Sequence, residues 1–327
     1  MSLSLKYVTT ECTNPDINLA MEEYMTFNAG DDEVILYIWQ NAHTVVIGKN
    51  QNPWSECNIT QMETDNCILA RRISGGGAVY HDLGNVNFTF IAKKSDYNIP
   101  KQTDTILEAV KSLGIDAVKN GRNDLTIDGM KFSGHAYFQK GDYCYHHGTI
   151  MMNVDHNMMS KYLNVSKDKL KSKGVSSVKS RVCNLIDYNK NINLEMLKKA
   201  LINAFGKVYA GNPQEISLPE MSVIADTISK YKDYNWKYGR KIPFTLELKN
   251  RFPWGNAEIQ LLINEGTVKD CQIFSDSLNT EAFKIISNAL IGTLYNRDSL
   301  KDINFDSDFL GKEIFDDIID LIINNLK

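Results

Sequence analysis

The residues with the most chemical content lie in the run Arg71-Arg72-Ile73-Ser74-Gly75-Gly76-Gly77-Ala78-Val79-Tyr80-His81-Asp82, where two guanidinium groups adjoin three consecutive glycines. Arginine carries fixed charge for a phosphate or a carboxylate, and glycine lets the backbone come close to it. Upstream, Cys67-Ile68-Leu69-Ala70 reads as a short buried strand; downstream, Asn87-Phe88-Thr89-Phe90-Ile91 alternates polar and apolar like a half-buried one. The glycines therefore sit in a strand-loop-strand turn. That placement differs from a phosphate-cradling P-loop, which needs Gly-Lys-Ser/Thr opening a helix, and from a dinucleotide fingerprint, which needs a third glycine there. A glycine-rich hairpin with exposed arginines is the plainer alternative.

A second chemical group lies on a hairpin. Asp128-Gly129 is a two-residue turn between Asn123-Asp124-Leu125-Thr126-Ile127 and Met130-Lys131-Phe132-Ser133-Gly134. In that register Ile127 opposes Met130, Thr126 opposes Lys131 and Asp124 opposes Ser133. Alternation gives Leu125, Ile127, Met130 and Phe132 an apolar face, and Asp124, Thr126, Lys131 and Ser133 a polar one. Lys131 is within diagonal reach of Asp124 and could turn toward the glycine loop; otherwise it is an ordinary solvated lysine on a sheet face. His146 and His147 fall in a strand from Tyr143 to Val154 and point to opposite faces, which excludes a two-histidine metal site on one surface.

The elements that must position these groups follow from pattern. Asn14-Pro15 starts a helix with Ile17, Ala20, Met21 and Tyr24 on one stripe. Val34 to Trp39 and Thr44 to Ile47 read as strands, and Gly48 to Trp54 as a polar loop beside the glycine turn. Thr103 can cap a helix from Asp104 to Leu113, with a strand from Ile115 to Val118 after it, and Asn193 caps another from Leu194 to Phe205. Pro219 to Lys232 reads as a connecting helix. Past Pro243, Ala257 to Ile263 and Thr267 to Phe274 flank Asn264-Glu265-Gly266 as a hairpin, and Thr280 to Leu294 and Lys312 to Leu326 are helical in pattern.

With 327 residues, 43% hydrophobic and 23% charged, the chain suits a soluble globular protein with a large core and a second, smaller domain. Its net charge of -4 speaks against a general nucleic-acid binder. No run approaches the ~20 apolar residues of a membrane span, and the N-terminus has no charged region leading into an apolar one. The expected setting is cytoplasmic and the expected state a monomer. Cys12, Cys57, Cys67, Cys144, Cys183 and Cys271 form no Cys-x-x-Cys pair, which fits reduced thiols.

These segments together resemble the lipoate-protein ligase A family of the biotin/lipoate ligase superfamily. Its members carry Arg-Arg-x-Ser-Gly-Gly-Gly-x-Val-x-His-Asp-x-Gly-Asn, matched throughout from Arg71 to Asn85. Further matches are Leu36-Tyr37-Ile38-Trp39-Gln40, Ile47 to Trp54, Asn123 to Gly134, His146-His147-Gly148-Thr149, Lys173 to Val182 and Arg251-Phe252-Pro253-Trp254-Gly255. The resemblance implies an α+β fold: a mixed-sheet catalytic domain flanked by helices over residues 1–242 and a small α+β domain over 243–327. It implies lipoate or octanoate as the acid, ATP with Mg2+ as the activator, and a lysine of a lipoyl carrier domain as acceptor. Those carriers would be 2-oxoacid dehydrogenase E2 subunits and the glycine cleavage H protein.

Carried over by position, Arg72, Gly77, Ala78, Val79, Tyr80 and Lys131 bind ATP. Lys131, Arg71, Ser74, Gly75, Gly76 and His81 serve lipoate, Lys131 being the catalytic cation that contacts both acyl carboxylate and phosphate. Asp124 is its metal or amine partner, and Leu19, Val45, Val79 and Phe132 are candidates for an apolar acyl slot. The chemistry needs such cations. A carboxylate does not acylate an amine at neutral pH because oxide would have to leave, so it first attacks the ATP α-phosphate, forming a mixed anhydride with AMP. Two anions must then be held together. The basic run from Lys161 to Arg181, with Lys167, Lys169, Lys171, Lys173 and Lys179, is either a solvated surface or serves two ends, its lysines docking an acidic acceptor and Lys173 to Arg181 closing over the nucleotide.

Three alternatives remain at this level. One is a cysteine-dependent octanoyl or lipoyl transferase using Cys144 or Cys183 without ATP. A biotin ligase is another, although its glycine motif differs in order. The last is a non-catalytic protein that binds lipoyl domains.

Overall fold

The side chain of Asn14 accepts from the backbone N–H groups of Asp16 and Ile17, and Pro15 occupies the first turn, so α1 (Pro15–Phe27) starts where capping chemistry places it. The computed structural model describes residues 3–121, 124–164, 182–303 and 311–326. Two units make up the chain. Met1–Val46, Trp54–Arg71 and Ala78–Lys237 form the first; Ile47–Pro53, Arg72–Gly77 and Tyr238–Lys327 form the second.

The first unit is built on β1 (Ser4–Thr9), β2 (Glu33–Trp39), β3 (Thr44–Ile47), β4 (Ile68–Arg71), β5 (Val79–His81), β6 (Asn85–Lys93), β7 (Val118–Asn120), β8 (Asp124–Ile127), β9 (Met130–Lys140), β10 (Tyr143–Met151) and β11 (Gln214–Glu215). Eight of these form one mixed sheet in the order β11-β1-β2-β6-β10-β9-β8-β7, and β4-β3-β5 form a small one. β1 pairs with β2 and β11 in parallel; the other pairs of the large sheet are antiparallel. All seven residues of β2 are buried, as a central strand covered on both faces requires. One face sends Leu36, Phe88, Phe90 and Phe132 into a core with Ile106 of α2 (Ile99–Ser112) and Leu201 and Phe205 of α3 (Leu194–Tyr209). The opposite face meets α1.

Several expectations shift. Helix α2 starts behind Asn98, whose side chain accepts from Lys101 N at 3.0 Å, because asparagine caps better than threonine and Pro100 fits a first turn; Thr103 is a buried residue inside the helix. Helix α3 runs past Gly206 to Tyr209 and stops at Ala210 in the left-handed conformation. The connecting helix spans Ala225–Lys232, and the strand expected at Ile115 forms instead as β7.

The hairpin register also differs. Ile127 opposes Met130 and Thr126 opposes Lys131, but a β-bulge follows, so Asp124 opposes Gly134 and not Ser133. The extra residue on β9 is Phe132, and both it and Ser133 are fully buried. Asp124 and Lys131 stay on one face while Ser133 leaves it.

In the second unit β12 (Leu246–Phe252), β13 (Gly255–Asn264) and β14 (Thr267–Ser275) form an antiparallel meander. It packs Ile259 and Leu261 on Phe283 and Ile286 of α4 (Ala282–Leu290) and on Ile318 and Ile322 of α5 (Lys312–Asn324). Two excursions of the chain join this unit. Ser275 N donates to Asn50 O at 2.8 Å, Asn50 Nδ2 to Thr280 O at 2.9 Å, and Gly76 N to Ser277 O at 3.3 Å. Glycine is required where they meet, since a Cβ on Gly75 would lie 2.2 Å from Ser277 O and one on Gly48 2.3 Å from Gly76 O. Among the described residues no helix is long and apolar enough to cross a membrane. The α+β class, with a mixed sheet flanked by helices and a small C-terminal sheet-and-helix unit, is the one expected.

Candidate active site

Lys131 stands on β9 with its Nζ 2.7 Å from Asp124 Oδ1, each side chain a little over one third exposed. The bulge makes this pair, because it brings Asp124 opposite Gly134, over which the lysine folds: a Cβ on Gly134 would lie 2.7 Å from Nζ. The lysine's backbone is fixed as well, its carbonyl accepting from Cys183 N at 3.0 Å. A half-solvated ion pair is worth little. The ammonium can therefore exchange Asp124 for a more highly charged anion at small cost.

The same sheet face continues inward as rows. Trp39, Asn87, Thr149, Gly134 and Asp124 align across five strands, and Tyr37, Thr89, His147 and Ala136 form the next row. Small residues on β9 thus adjoin a polar, aromatic floor. That floor is tied to α1 by the buried Glu22, whose Oε1 accepts from Thr89 Oγ1 at 2.6 Å and meets His147 Nδ1 at 2.8 Å; Trp39 Nε1 donates to Thr89 Oγ1 at 3.0 Å. Sequence reasoning missed Glu22. Its signal was a carboxylate one turn from Asn18 and Leu19 beside an otherwise apolar stripe.

His146 and His147 do face opposite ways. His146 Nδ1 lies 3.1 Å from Gln102 Oε1 on α2, and its Nε2 lies 2.7 Å from His135 Nδ1, while His135 Nε2 meets Ser133 Oγ at 3.1 Å. The amide oxygen only accepts, so each ring in turn donates through Nδ1 and accepts at Nε2. Burial, and after it the positive charge of Lys131, pushes the His135 pKa down from 6.5 to about 3; burial also drives His146 well below its ordinary value. Both are neutral core groups.

The two arginines of the motif stand in different units. Arg71 is buried in the first, where Nε donates to Trp236 O at 2.8 Å and Nη2 to Lys237 O at 2.8 Å, and Trp236 Nε1 returns a bond to Arg71 O at 2.9 Å. Burial lowers its pKa to about 10. In the second unit Arg72 Nε donates to Ser74 Oγ at 3.0 Å, and Nη2 to both Gly75 O and Gly77 O at 2.8 Å. Arg72 thereby gathers the carbonyl oxygens of the glycine turn to itself, and Lys49 N on Ser74 O at 2.9 Å holds the turn from the other side. A Cβ on Gly77 would meet nothing within 4 Å.

Other expected residues are dispersed. Buried His81 has Nδ1 3.2 Å from Asn41 Nδ2, an amide donor, so its proton sits on Nε2. Tyr80 OH meets His43. Leu19 and Val45 are fully buried, Val79 is partly exposed on β5, and Phe132 belongs to the core on the face away from Lys131, which removes it from a slot beside that ammonium. Burial pushes the thiols of Cys144 and Cys183 up to about 11, the opposite of what a nucleophile needs. Lys161 pairs with Asp65 at 2.6 Å, whereas Lys167, Lys169, Lys171, Lys173, Lys179 and Arg181 lie outside the described residues.

Comparison with known proteins shows the chain's family. The lipoyl protein ligase A/B catalytic domain matches residues 14–206, and the bacterial lipoate protein ligase C-terminus matches residues 241–322. Lipoate-protein ligase A of Psychrobacter cryohalolentis is 39% identical over 298 residues, 88% of each chain. Among solved structures, P. falciparum LipL1 in complex with lipoate shares 30% identity and a TM-score of 0.83, covering 98% of this chain and 99% of its own. A lipoate-protein ligase A bound with ATP shares 25% identity and a TM-score of 0.64, covering 73% of this chain and 99% of its own. With both catalytic and C-terminal family models matched and a relative this similar along most of its length, the chain belongs to the lipoate-protein ligase family.

Proposed function

We propose that Lys131 is the cation through which this enzyme brings its two anionic substrates into reaction. The enzyme is an ATP-dependent lipoate-protein ligase, which converts lipoate to lipoyl-AMP and passes the acyl group to a lysine of a lipoyl domain. In the first step a lipoate carboxylate oxygen bonds to the α-phosphorus and the bond to the β-phosphate oxygen breaks, releasing pyrophosphate. In the second, the acceptor amine attacks the acyl carbon and AMP leaves, with one proton lost from the amine. Negative charge gathers at the same place in both steps, so a fixed ammonium gains most where the charge is greatest.

The observation that carries the reading is the Lys131 ammonium folded over Gly134 and restrained by a half-exposed carboxylate. Arg72 acts on the nucleotide side by shaping the turn whose Gly77, Ala78, Val79 and Tyr80 take ATP. Ser74, Gly75, Gly76 and His81 serve the acyl side, and Arg71 supports it by fixing the 236–237 segment. Asp124 fits a Mg2+ role, because that ion is usually held by one or two carboxylates together with substrate phosphates. Bound there, it would neutralise part of the triphosphate charge. Lipoate is the acid we assign, with octanoate as an analogue; the acceptors are E2 lipoyl domains and the glycine cleavage H protein, and the enzyme acts as a cytoplasmic monomer.

The test is direct. The chain incubated with ATP, Mg2+ and lipoate should yield lipoyl-AMP by mass spectrometry and then add one lipoyl mass to a lipoyl domain. Acyl transfer from one carrier to another without ATP would instead support the thioester route, which the raised thiol pKa values of Cys144 and Cys183 disfavour.

A further inference from the structure

Strand β5 follows the glycine turn, yet it is three residues long and, among the described residues, lies at the edge of the β4-β3-β5 sheet with one hydrogen-bonded neighbour. So short an edge strand gains little from its ladder. A side-chain tether takes up the difference. The buried Tyr80 hydroxyl lies 3.1 Å from His43 Nδ1, and His43 Nε2 lies 3.2 Å from the backbone carbonyl of Asp65. A carbonyl can only accept, so the imidazole proton is on Nε2, and Nδ1 accepts from Tyr80.

The surroundings leave the ring little freedom. Tyr162 packs with its ring 5.5 Å from His43 and 5.6 Å from Tyr80, and its hydroxyl donates to Asp65 Oδ2 at 2.7 Å, where Lys161 also pairs at 2.6 Å. His43 itself has φ 40°, a left-handed backbone that side chains rarely adopt and that persists where the surroundings enforce it.

We propose that His43 is a positioning residue for the nucleotide half of the reaction, holding the Tyr80 hydroxyl so that β5 presents the Val79 and Tyr80 backbone to ATP in one fixed place. This rests on the assignment of Val79 and Tyr80 to ATP. His43 acts through Tyr80 and touches no substrate. The effect therefore belongs in the apparent affinity for ATP and not in that for lipoate.

The experiment is steady-state pyrophosphate release by the full chain with Mg2+, varying ATP and lipoate in turn, for wild type, His43→Ala, Tyr80→Phe and the double variant. Loss of one neutral hydrogen bond corresponds to about a three- to tenfold change. The KM for ATP should rise by that factor in each single variant, the KM for lipoate should stay at its wild-type value, and the double variant should be no worse than the poorer single one. Tyr80→Phe keeps the ring and removes one oxygen, so it reads the tether even if His43→Ala folds poorly. Unchanged KM for ATP with a lowered melting temperature would mark a merely structural cluster and overturn the inference; so would an equal rise in both KM values. A wild-type chain that released no pyrophosphate from ATP and lipoate would overturn the functional assignment beneath it, and the inference with it.

Discussion

The Lys131 hairpin and the Arg72 turn each place one cation beside backbone that glycine keeps open, but they use the cation in opposite ways. Lys131 is held by a carboxylate more than one third exposed, so its charge is available to an incoming anion. Arg72 is buried and satisfied by Ser74, Gly75 and Gly77, so its charge is turned onto the protein's own carbonyl oxygens. On the proposed reading the first acts by contact. The second gives the turn its shape and, on that reading, leaves the amide edge of the turn to bind.

The comparison breaks most visibly at Lys131. Lys131→Ala should lower lipoyl-AMP formation about a thousandfold while the melting temperature changes little, because the side chain is a half-exposed one. Pyrophosphate release at the wild-type rate would refute the contact role. Arg72 is sharpened by a conservative change. Lysine cannot bridge two carbonyls as the guanidinium does. Arg72→Lys should therefore cost about ten- to a hundredfold in kcat/KM for ATP and raise hydrogen exchange across Gly75–Gly77, a readout that Lys131→Ala leaves unmoved. Equal activity in Arg72→Lys and wild type would show that charge alone matters at that position.

A smaller effect separates the regions by acid. All six histidines lie in the unit that carries Lys131, and none in the unit that carries Arg72. For His135 the folded pKa is depressed from 6.5 to about 3, so the folded state binds fewer protons; its stabilising contribution is complete above pH 6.5 and is lost as pH falls toward 3. Between pH 6.5 and 5 this one ring should cost on the order of 2 kcal/mol, and His146 acts in the same direction. Hydrogen exchange at pH 5 should rise in β9 and β10 before it rises in β12 to β14. The reverse order would contradict neutral histidines in the core.

The hairpin that carries Lys131 and Asp124 was legible in the sequence because its devices are local. Asp128-Gly129 dictates a turn, the turn sets Thr126 opposite Lys131, and alternation puts Asp124 on the same face as that lysine. The bulge was not legible, since an extra Phe132 looks like any apolar residue on a strand. Nor were the hydrogen bonds of Arg72, because the carbonyl oxygens it gathers become visible after the turn has folded. Glu22 was missed for a related reason: a buried acid is stable there through Thr89 and His147, partners more than sixty residues away. The second unit was readable as a hairpin with helices, but its capture of Ile47–Pro53 and Arg72–Gly77 depends on long-range bonds from Asn50 and Gly76 that no periodicity announces.

The most direct measurement is a structure of the enzyme with lipoate and a non-hydrolysable ATP analogue bound together. The account predicts that the ammonium of Lys131 leaves Asp124 Oδ1 and stands within hydrogen-bonding distance of both the acyl carboxylate and the α-phosphate. An ammonium still paired with Asp124 and distant from both substrates would contradict it.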